Sequence, residues 1–305
     1  MVGPGDDAAV LRPRPGEDLV ATVDAVVEGV HFDASFGPRD IGWKALAVNL
    51  SDLAAMGARP MHALVALALP PGTSPRTATE IARGLGACAR AYGTAIVGGN
   101  VTRAGELSVT VTALGTVPAG RAVLRSGAQP GDLVAVTGTL GDAALGLRAH
   151  APRALALRQR RPAPRLAAGR ALAGLVRAAI DVSDGLTQDL GHVCRASGVG
   201  ARIGLADLPL SPAYRRMMRG LRDPWAPALG GGEDYELVLA LPPQALGRAR
   251  AAAKRARTPL TVVGRFVRGQ GVKVVGDLGE SLPVPEGHDH LRAPDPRLGR
   301  IRRRV

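Results

Sequence analysis

Apolar and polar positions along the chain form two successive series of strand-like and helix-like segments. Residues 19–26 (Leu-Val-Ala-Thr-Val-Asp-Ala-Val) and 106–116 are rich in β-branched residues and predict strands. Between them, residues 40–57 predict a helix, with Asp40 as its cap before Ile41. Its apolar positions Leu46, Val48, Leu50, Leu53 and Ala54 fall on more than one side, as expected of a helix buried on several faces. A second helix is expected from Pro75 to Tyr92, then a short strand ending at Gly98-Gly99. The stretch 117–131, with Pro118, Gly120, Gly127, Pro130 and Gly131, interrupts the pattern and is the best domain boundary. Beyond it the theme repeats: a strand over Asp132–Val136, helices near 165–178, 186–196 and 246–256, and strands near 236–241, 260–264 and 272–275. The Arg/Pro-rich stretch Ala151–Pro164 reads as an irregular excursion. The expected fold class is α/β (α+β), with αβ domains over 1–118 and 119–293 and a basic tail over 294–305.

Composition narrows the classes. A hydrophobic fraction of 46% with 21% charged residues belongs to a folded chain, and 305 residues suffice for two cores. Aromatics make up only 3%, so the cores rest on Ala, Val and Leu. No apolar run approaches the ~20 residues that span a bilayer. The start of the chain shows no basic region followed by an apolar one, so a cytoplasmic location and no membrane partner are expected. Cys88 and Cys194 are isolated and read as reduced thiols. The net charge of +13 raises the question of nucleic acid. Residues 1–120 hold 9 Lys+Arg against 11 Asp+Glu, however, and the excess lies beyond them, with six arginines in the last fourteen residues. Three Tyr, three Phe and two Trp offer few stacking platforms, so the basic end reads as a solvated tail and no nucleic-acid partner is expected.

Candidate chemistry lies in acidic groups beside glycines or at element ends: Gly5-Asp6-Asp7, Thr22-Val23-Asp24, Ser51-Asp52, Asp181-Val182-Ser183-Asp184-Gly185 and Gly230-Gly231-Gly232-Glu233-Asp234-Tyr235, with Gly98-Gly99-Asn100 beside them. Hard cations such as Mg²⁺ take oxygen ligands gathered from separate elements, and flanking glycines let a phosphate approach the backbone. Singly, each group reads as a turn. Asp24 stands apart because it interrupts an otherwise apolar strand, where a lone carboxylate is costly without a metal or partner. There is no Gly-Lys pair and hence no P-loop, and the protein-kinase lysine, His-Arg-Asp and Asp-Phe-Gly set is also missing. Gly84-Leu-Gly86 lies within a helical stretch and is no dinucleotide fingerprint. A nucleotide enzyme built this way neutralises phosphate largely with metal ions.

The stretches GPGDDAAVL, TVDAVVEGVHFD, GWKALAVNLSDLAAMGA, IVGGNVTR, LRSGAQPGDLVAVTGTLGD, DVSDGLTQDLGHV and GGGEDYEL, in this order over nearly the whole chain, resemble the thiamine-monophosphate kinase family. That family belongs to the superfamily of aminoimidazole ribonucleotide synthetase and selenophosphate synthetase. The resemblance implies the two-domain fold of that superfamily, pairing of N-terminal sheets across a homodimer, and Mg²⁺-assisted, in-line transfer from ATP to thiamine monophosphate. It places metal ligands at Asp7, Thr22, the Val23 carbonyl, Asp24, Asp52, Asn100, Asp181 and Asp184, with Asp24, Asp52 and Asp181 at the centre of the chemistry. ATP contacts fall at Gly99, Asn100, Arg125 and Ser183, and contacts to the thiamine phosphate at His31, Glu233 and His288. Two positions depart from the family pattern. Asn100 stands where many relatives carry Asp, and His288 where they often carry an aromatic ring. A related ATP-dependent synthetase, or a non-catalytic nucleotide- or nucleic-acid-binding protein, is the alternative.

Overall fold

The computed structural model describes residues 13–148, 150–276 and 278–283. In chain order its first half is β1 (Glu17–Val27), α1 (Pro38–Ala55), β2 (Arg59–Leu69), α2 (Pro75–Tyr92), β3 (Ala95–Arg103) and β4 (Ser108–Pro118). The second half runs β5 (Leu133–Thr137), α3 (Asp142–Gly146), α4 (Arg153–Arg160), α5 (Leu166–Leu172), β6 (Ala178–Asp181), α6 (Leu186–Ser197) and β7 (Gly200–Gly204). It continues through α7 (Pro212–Met217), α8 (Ala226–Gly230), β8 (Leu237–Leu241), α9 (Leu246–Arg255), β9 (Leu260–Val267), β10 (Gly271–Val275) and β11 (Ser281–Leu282). The strands form a four-stranded sheet in the order β1-β4-β2-β3 and a seven-stranded sheet in the order β11-β10-β7-β9-β5-β8-β6.

Helix α1 joins the two. Its sequence is apolar all round, and Ile41, Leu46, Val48, Leu50 and Leu53 are all buried. One side packs on β1 and β4, another on α2, and a third on α5 and β6 of the second half. The contact with α2 is backbone to backbone. A Cβ at Gly42 would lie 2.0 Å from the Ile81 carbonyl, and one at Gly84 2.1 Å from the Arg39 carbonyl. One hydrophobic cluster therefore runs from Val109 and Val111 of β4 through α1 to Leu237, Leu239 and Ala249 of the second half. A second cluster, around Val136, Leu186, Tyr214 and Phe266, fills the far side of the seven-stranded sheet.

Five expectations are corrected. The pattern predicts nothing at 59–69, yet this Ala- and Leu-rich run is β2, an inner strand; apolar runs of that length do not separate strand from helix. The stretch read as an irregular excursion contains α4, which starts after Pro152 and buries Leu155 and Gln159. The helix expected over 165–178 stops at Leu172, and Ala178–Asp181 becomes β6 because β8 pairs with it antiparallel. Asp40 does not cap α1: Gly37 is the cap residue, Pro38 opens the helix, and Asp40 in the first turn pairs with Arg161 at 2.5 Å. The strand expected to end at Gly98-Gly99 extends to Arg103. Gly99 is obligatory within it, since a Cβ there would lie 2.0 Å from the Val65 carbonyl.

Candidate active site

The site begins at the C-terminal end of α1. Adjacent residues there point about 100° apart around the helix axis, so they serve different halves of the molecule. Asp52 turns toward β1 and accepts a 2.6 Å hydrogen bond from the Thr22 hydroxyl. Ser51 turns toward β6 and donates at 2.6 Å to Asp181, the strand's last residue. Burial raises the pKa of Asp52, with the Thr22 hydroxyl and the charge of Arg125 opposing the shift. Burial also holds Asp181 well above the usual carboxylate range; the charge of Asp52 adds to this, and Ser51 and Arg125 oppose it. Among the described residues neither Asp52 nor Asp181 is in an ion pair. A buried acid and a half-buried one thus repel each other, held mainly by hydroxyls and a more distant arginine. An all-oxygen donor set with surplus negative charge is the chemistry that suits a hard divalent cation.

Asp24 joins this group from β1. The expectation of a carboxylate caught in a buried strand is corrected: β1 is an edge strand and Asp24 is exposed. Its register partner Val111 is fully buried, so Asp24 sits on the face that carries α1. The phenol of Tyr235 is buried within reach of these charges. Burial and then the charges of Glu233, Asp24, Asp181 and Asp52 push it well above its ordinary value. The Gly230–Tyr235 loop needs its glycines for close approach: a Cβ on Gly232 would lie 2.6 Å from the Ser183 carbonyl. Glu233 and Tyr235 themselves adopt left-handed backbone, at φ 59° and 51°. Non-glycine residues in that region cost on the order of 1–3 kcal/mol, a strain that clusters at functional sites. The loop is tied down by hydrogen bonds from the Glu233 amide to the Ser183 carbonyl at 2.7 Å and from the Tyr235 amide to the Val182 carbonyl at 2.8 Å.

Lys44, two helical turns before Ser51, lies on the same stripe of α1 and also reaches the second half. Its ammonium contacts Glu233 Oε1 at 2.5 Å and donates to the His31 carbonyl at 2.8 Å. Gln159 of α4 donates to Glu233 Oε2 at 2.9 Å. Burial pulls the Lys44 ammonium below the usual lysine range, against the opposing effect of Glu233. The His31 ring accepts from the Val27 amide through Nδ1 at 3.1 Å, which places the proton of the neutral ring on Nε2. His31 and Glu233, far apart in sequence, are thereby brought together by one lysine.

Two further groups border this centre. Glu236 is fully buried, bonded by Thr137 at 2.8 Å, Arg158 at 2.6 Å and Arg165 at 2.6 Å. The Asp189 carboxylate accepts the amides of Ser183, Asp184 and Gly185, each at 3.1 Å, and shapes the start of α6. Asp184, Asp189 and His192 present ligand atoms within 4.8 Å of one another. Gly99 and Asn100 are not brought to Asp24. They lie on β3, three strand spacings away, or roughly 14 Å. Asn100 pairs with Ala66, on the sheet face opposite the one that carries Asp24. Gly99, Asn100 and Val101 instead border a recess of about 340 Å³ between β3 and α2. Asp7 and His288 lie outside the described residues.

Residues 5–117 match the family profile described as AIR synthase related protein, N-terminal domain, and residues 129–277 match its C-terminal domain. Thiamine-monophosphate kinase of Salmonella typhimurium is 42% identical over 308 residues, covering 96% of this chain and 92% of that protein. The crystal structure of thiamine-monophosphate kinase from Stenotrophomonas maltophilia superposes with a TM-score of 0.85 at 44% identity, over 92% of each chain. The chain belongs to the thiamine-monophosphate kinase family. A further structure, described as AaThiL complexed with AMPPCP and TMP, superposes with a TM-score of 0.82 at 32% identity, covering 92% of this chain and 89% of that one.

Within this family framework, the residues that sequence reasoning passes over are those that hold the loop in place. Lys44 carries a signal in hindsight: it is one of three lysines in the chain and stands in the middle of an apolar helix. Gln159 and Arg158 carry none, because the segment that presents them reads as irregular.

Proposed function

We propose that the protein transfers the γ-phosphoryl group of ATP to thiamine monophosphate, forming thiamine diphosphate with Mg²⁺ as the assisting ion. The observation that carries this reading is the arrangement of Asp52, bonded to Thr22 on the β1 face that also carries Asp24, and Asp181, bonded to Ser51 beside Asp52, together with the Lys44–Glu233–His31 group. Membership of the family supplies the reaction class. The mutually repelling pair of Asp52 and Asp181 fits a divalent cation. Asp24, Asp52 and Asp181 would hold it, with Thr22 and the Val23 carbonyl beside them and Asp184 as a further ligand. Bound Mg²⁺ supplies positive charge that offsets the repulsion between two polyanionic substrates.

The chain's own residues do the rest. The acceptor is a phosphate monoester, mostly dianionic at neutral pH, so no general base is needed. Arg125 directs fixed positive charge toward the acid group, where it assists phosphate binding together with Ser183. Glu233 and His31 orient the acceptor. Alignment of the two reacting groups within ~3–3.5 Å is the main contribution asked of the scaffold.

The same reading includes a homodimer in a cytoplasmic setting. The face of the four-stranded sheet turned away from α1 carries exposed Leu19, Val23 and Leu64, and β1 leaves a sheet edge open. Pairing of that face with a second copy would cover it. No described helix is long and apolar enough to cross a membrane.

The test is an assay with ATP, Mg²⁺ and thiamine monophosphate, following thiamine diphosphate by chromatography with free thiamine as the control acceptor. Product from the monophosphate alone, lost with EDTA, is expected. Absence of product from folded protein would overturn the proposal.

A further inference from the structure

Lys44 has no exposed surface, and its two polar contacts, Glu233 and the His31 carbonyl, belong to residues proposed above to orient the acceptor. Its ion pair with Glu233 is buried, so it contributes to the fold as well as to the site, and only a substrate-specific readout separates the two roles. Its ammonium sits 5.5 Å from the centre of the Phe36 ring, whose other neighbour is the Arg160 guanidinium at 5.6 Å. This leaves the charge with one carboxylate partner, Glu233, and one carbonyl partner, His31. Both Glu233 oxygens are held, one by Lys44 and the other by Gln159, so the side chain has a single orientation. Each oxygen keeps a second lone pair for a ligand N–H donor. Glu233 also sits in left-handed backbone, a conformation that persists only where the surroundings over-determine it.

We infer that Lys44 is a positioning residue of the acceptor subsite, acting through Glu233 and the His31 loop; this rests on the thiamine monophosphate reading above. Lys44 has two effects. It fixes the Glu233 carboxylate where it can take an amino group or cationic ring of the acceptor. It also cancels that carboxylate's charge, so that the acceptor's phosphate dianion does not meet an uncompensated anion nearby. ATP, held by other residues, is indifferent to both effects. The role is therefore specific to one of the two substrates.

The experiment compares wild type, Lys44→Met, Glu233→Gln and the double variant, with KM measured for each substrate at saturating levels of the other. Thiamine monophosphate binding is followed in parallel by calorimetry. Lys44→Met is expected to raise KM for thiamine monophosphate at least tenfold and leave KM for ATP within twofold. Because Lys44 acts through Glu233, the double variant is expected to match Glu233→Gln within twofold. If Lys44→Met alone fails to fold, the comparison of Glu233→Gln with the double variant still decides, since the double variant leaves no lone buried charge and in Glu233→Gln the buried Lys44 amine can shed its proton. Equal rises in both KM values, or a double variant tenfold worse than Glu233→Gln, would overturn the role of Lys44. A wild-type chain that neither binds nor phosphorylates thiamine monophosphate would overturn the underlying reading and this inference with it.

Discussion

Two groups of carboxylates stand within one site, and they are finished differently. Glu236, buried at the start of β8, receives two arginines and a threonine hydroxyl from its own chain. Asp181, almost as inaccessible, and the half-buried Asp52 receive hydroxyls from Ser51 and Thr22 and no ion pair among the described residues. A buried charge that is fully paired serves the scaffold, and removing one partner is strongly destabilising. A buried pair of like charges lacking counter-ions is instead a standing cost, maintained where something from outside completes it. The contrast separates architecture from chemistry within a few residues of sequence: Glu233, Asp234 and Glu236 share one loop, yet face different partners.

The sharpest break in that comparison is kinetic. Asp52→Ala or Asp24→Ala is expected to lower thiamine diphosphate formation by roughly a thousandfold or more, with the thermal midpoint unchanged or raised. Near-normal turnover in either variant would place the chemistry elsewhere. Glu236→Gln should behave the opposite way. It strands Arg158 and Arg165, and a loss of about 3–5 kcal/mol in urea unfolding is expected. Mg²⁺ alone should stabilise the wild-type protein, by about 2.7 kcal/mol at a hundredfold excess over Kd, and much less in Asp52→Ala. Binding must displace protons from acids with raised pKa values, so the apparent Mg²⁺ affinity should fall as pH falls; titration calorimetry in buffers of different ionisation heat would detect the released protons.

The smallest effect concerns Asp234, which burial holds at about 8 although the Gly141 and Ala143 amides favour its anion. The native state keeps a proton there that the unfolded chain loses near pH ~4. This contribution is full below that point, falls as pH rises, and is lost once pH passes about 8. Asp234→Asn should flatten part of the decline in melting temperature across that window, and an unchanged slope would assign the decline to other groups.

Much of the fold can be read in the residues themselves. The apolar encirclement of α1, the Pro75–Tyr92 limits of α2 and the β-branched runs of β1 and β4 are local signals, and the structure realises them. The Ala- and Leu-rich run of β2 and the four residues of β6 are opaque because such segments become strands only when neighbours offer them hydrogen bonds. The acids at Asp24, Asp52 and Asp181 are visible as motifs, but their meeting at the end of α1, through Thr22 and Ser51, is a tertiary fact. Lys44 shows the limit most clearly: its residue type is unusual for its helix, while its meaning depends on Glu233, which lies 189 positions away.

The encircled helix has a consequence for how the chain is made. While the N-terminal half emerges from the ribosome, the stripe of α1 that will meet α5 and β6 has nothing to lie against. Residues 166–181 must still be synthesised, so an apolar strip stays open to solvent through that interval. Slow translation between these points should increase the nascent chain's hold on general chaperones. A fragment ending near residue 118 should aggregate when expressed alone and become soluble when the remainder is co-expressed with it.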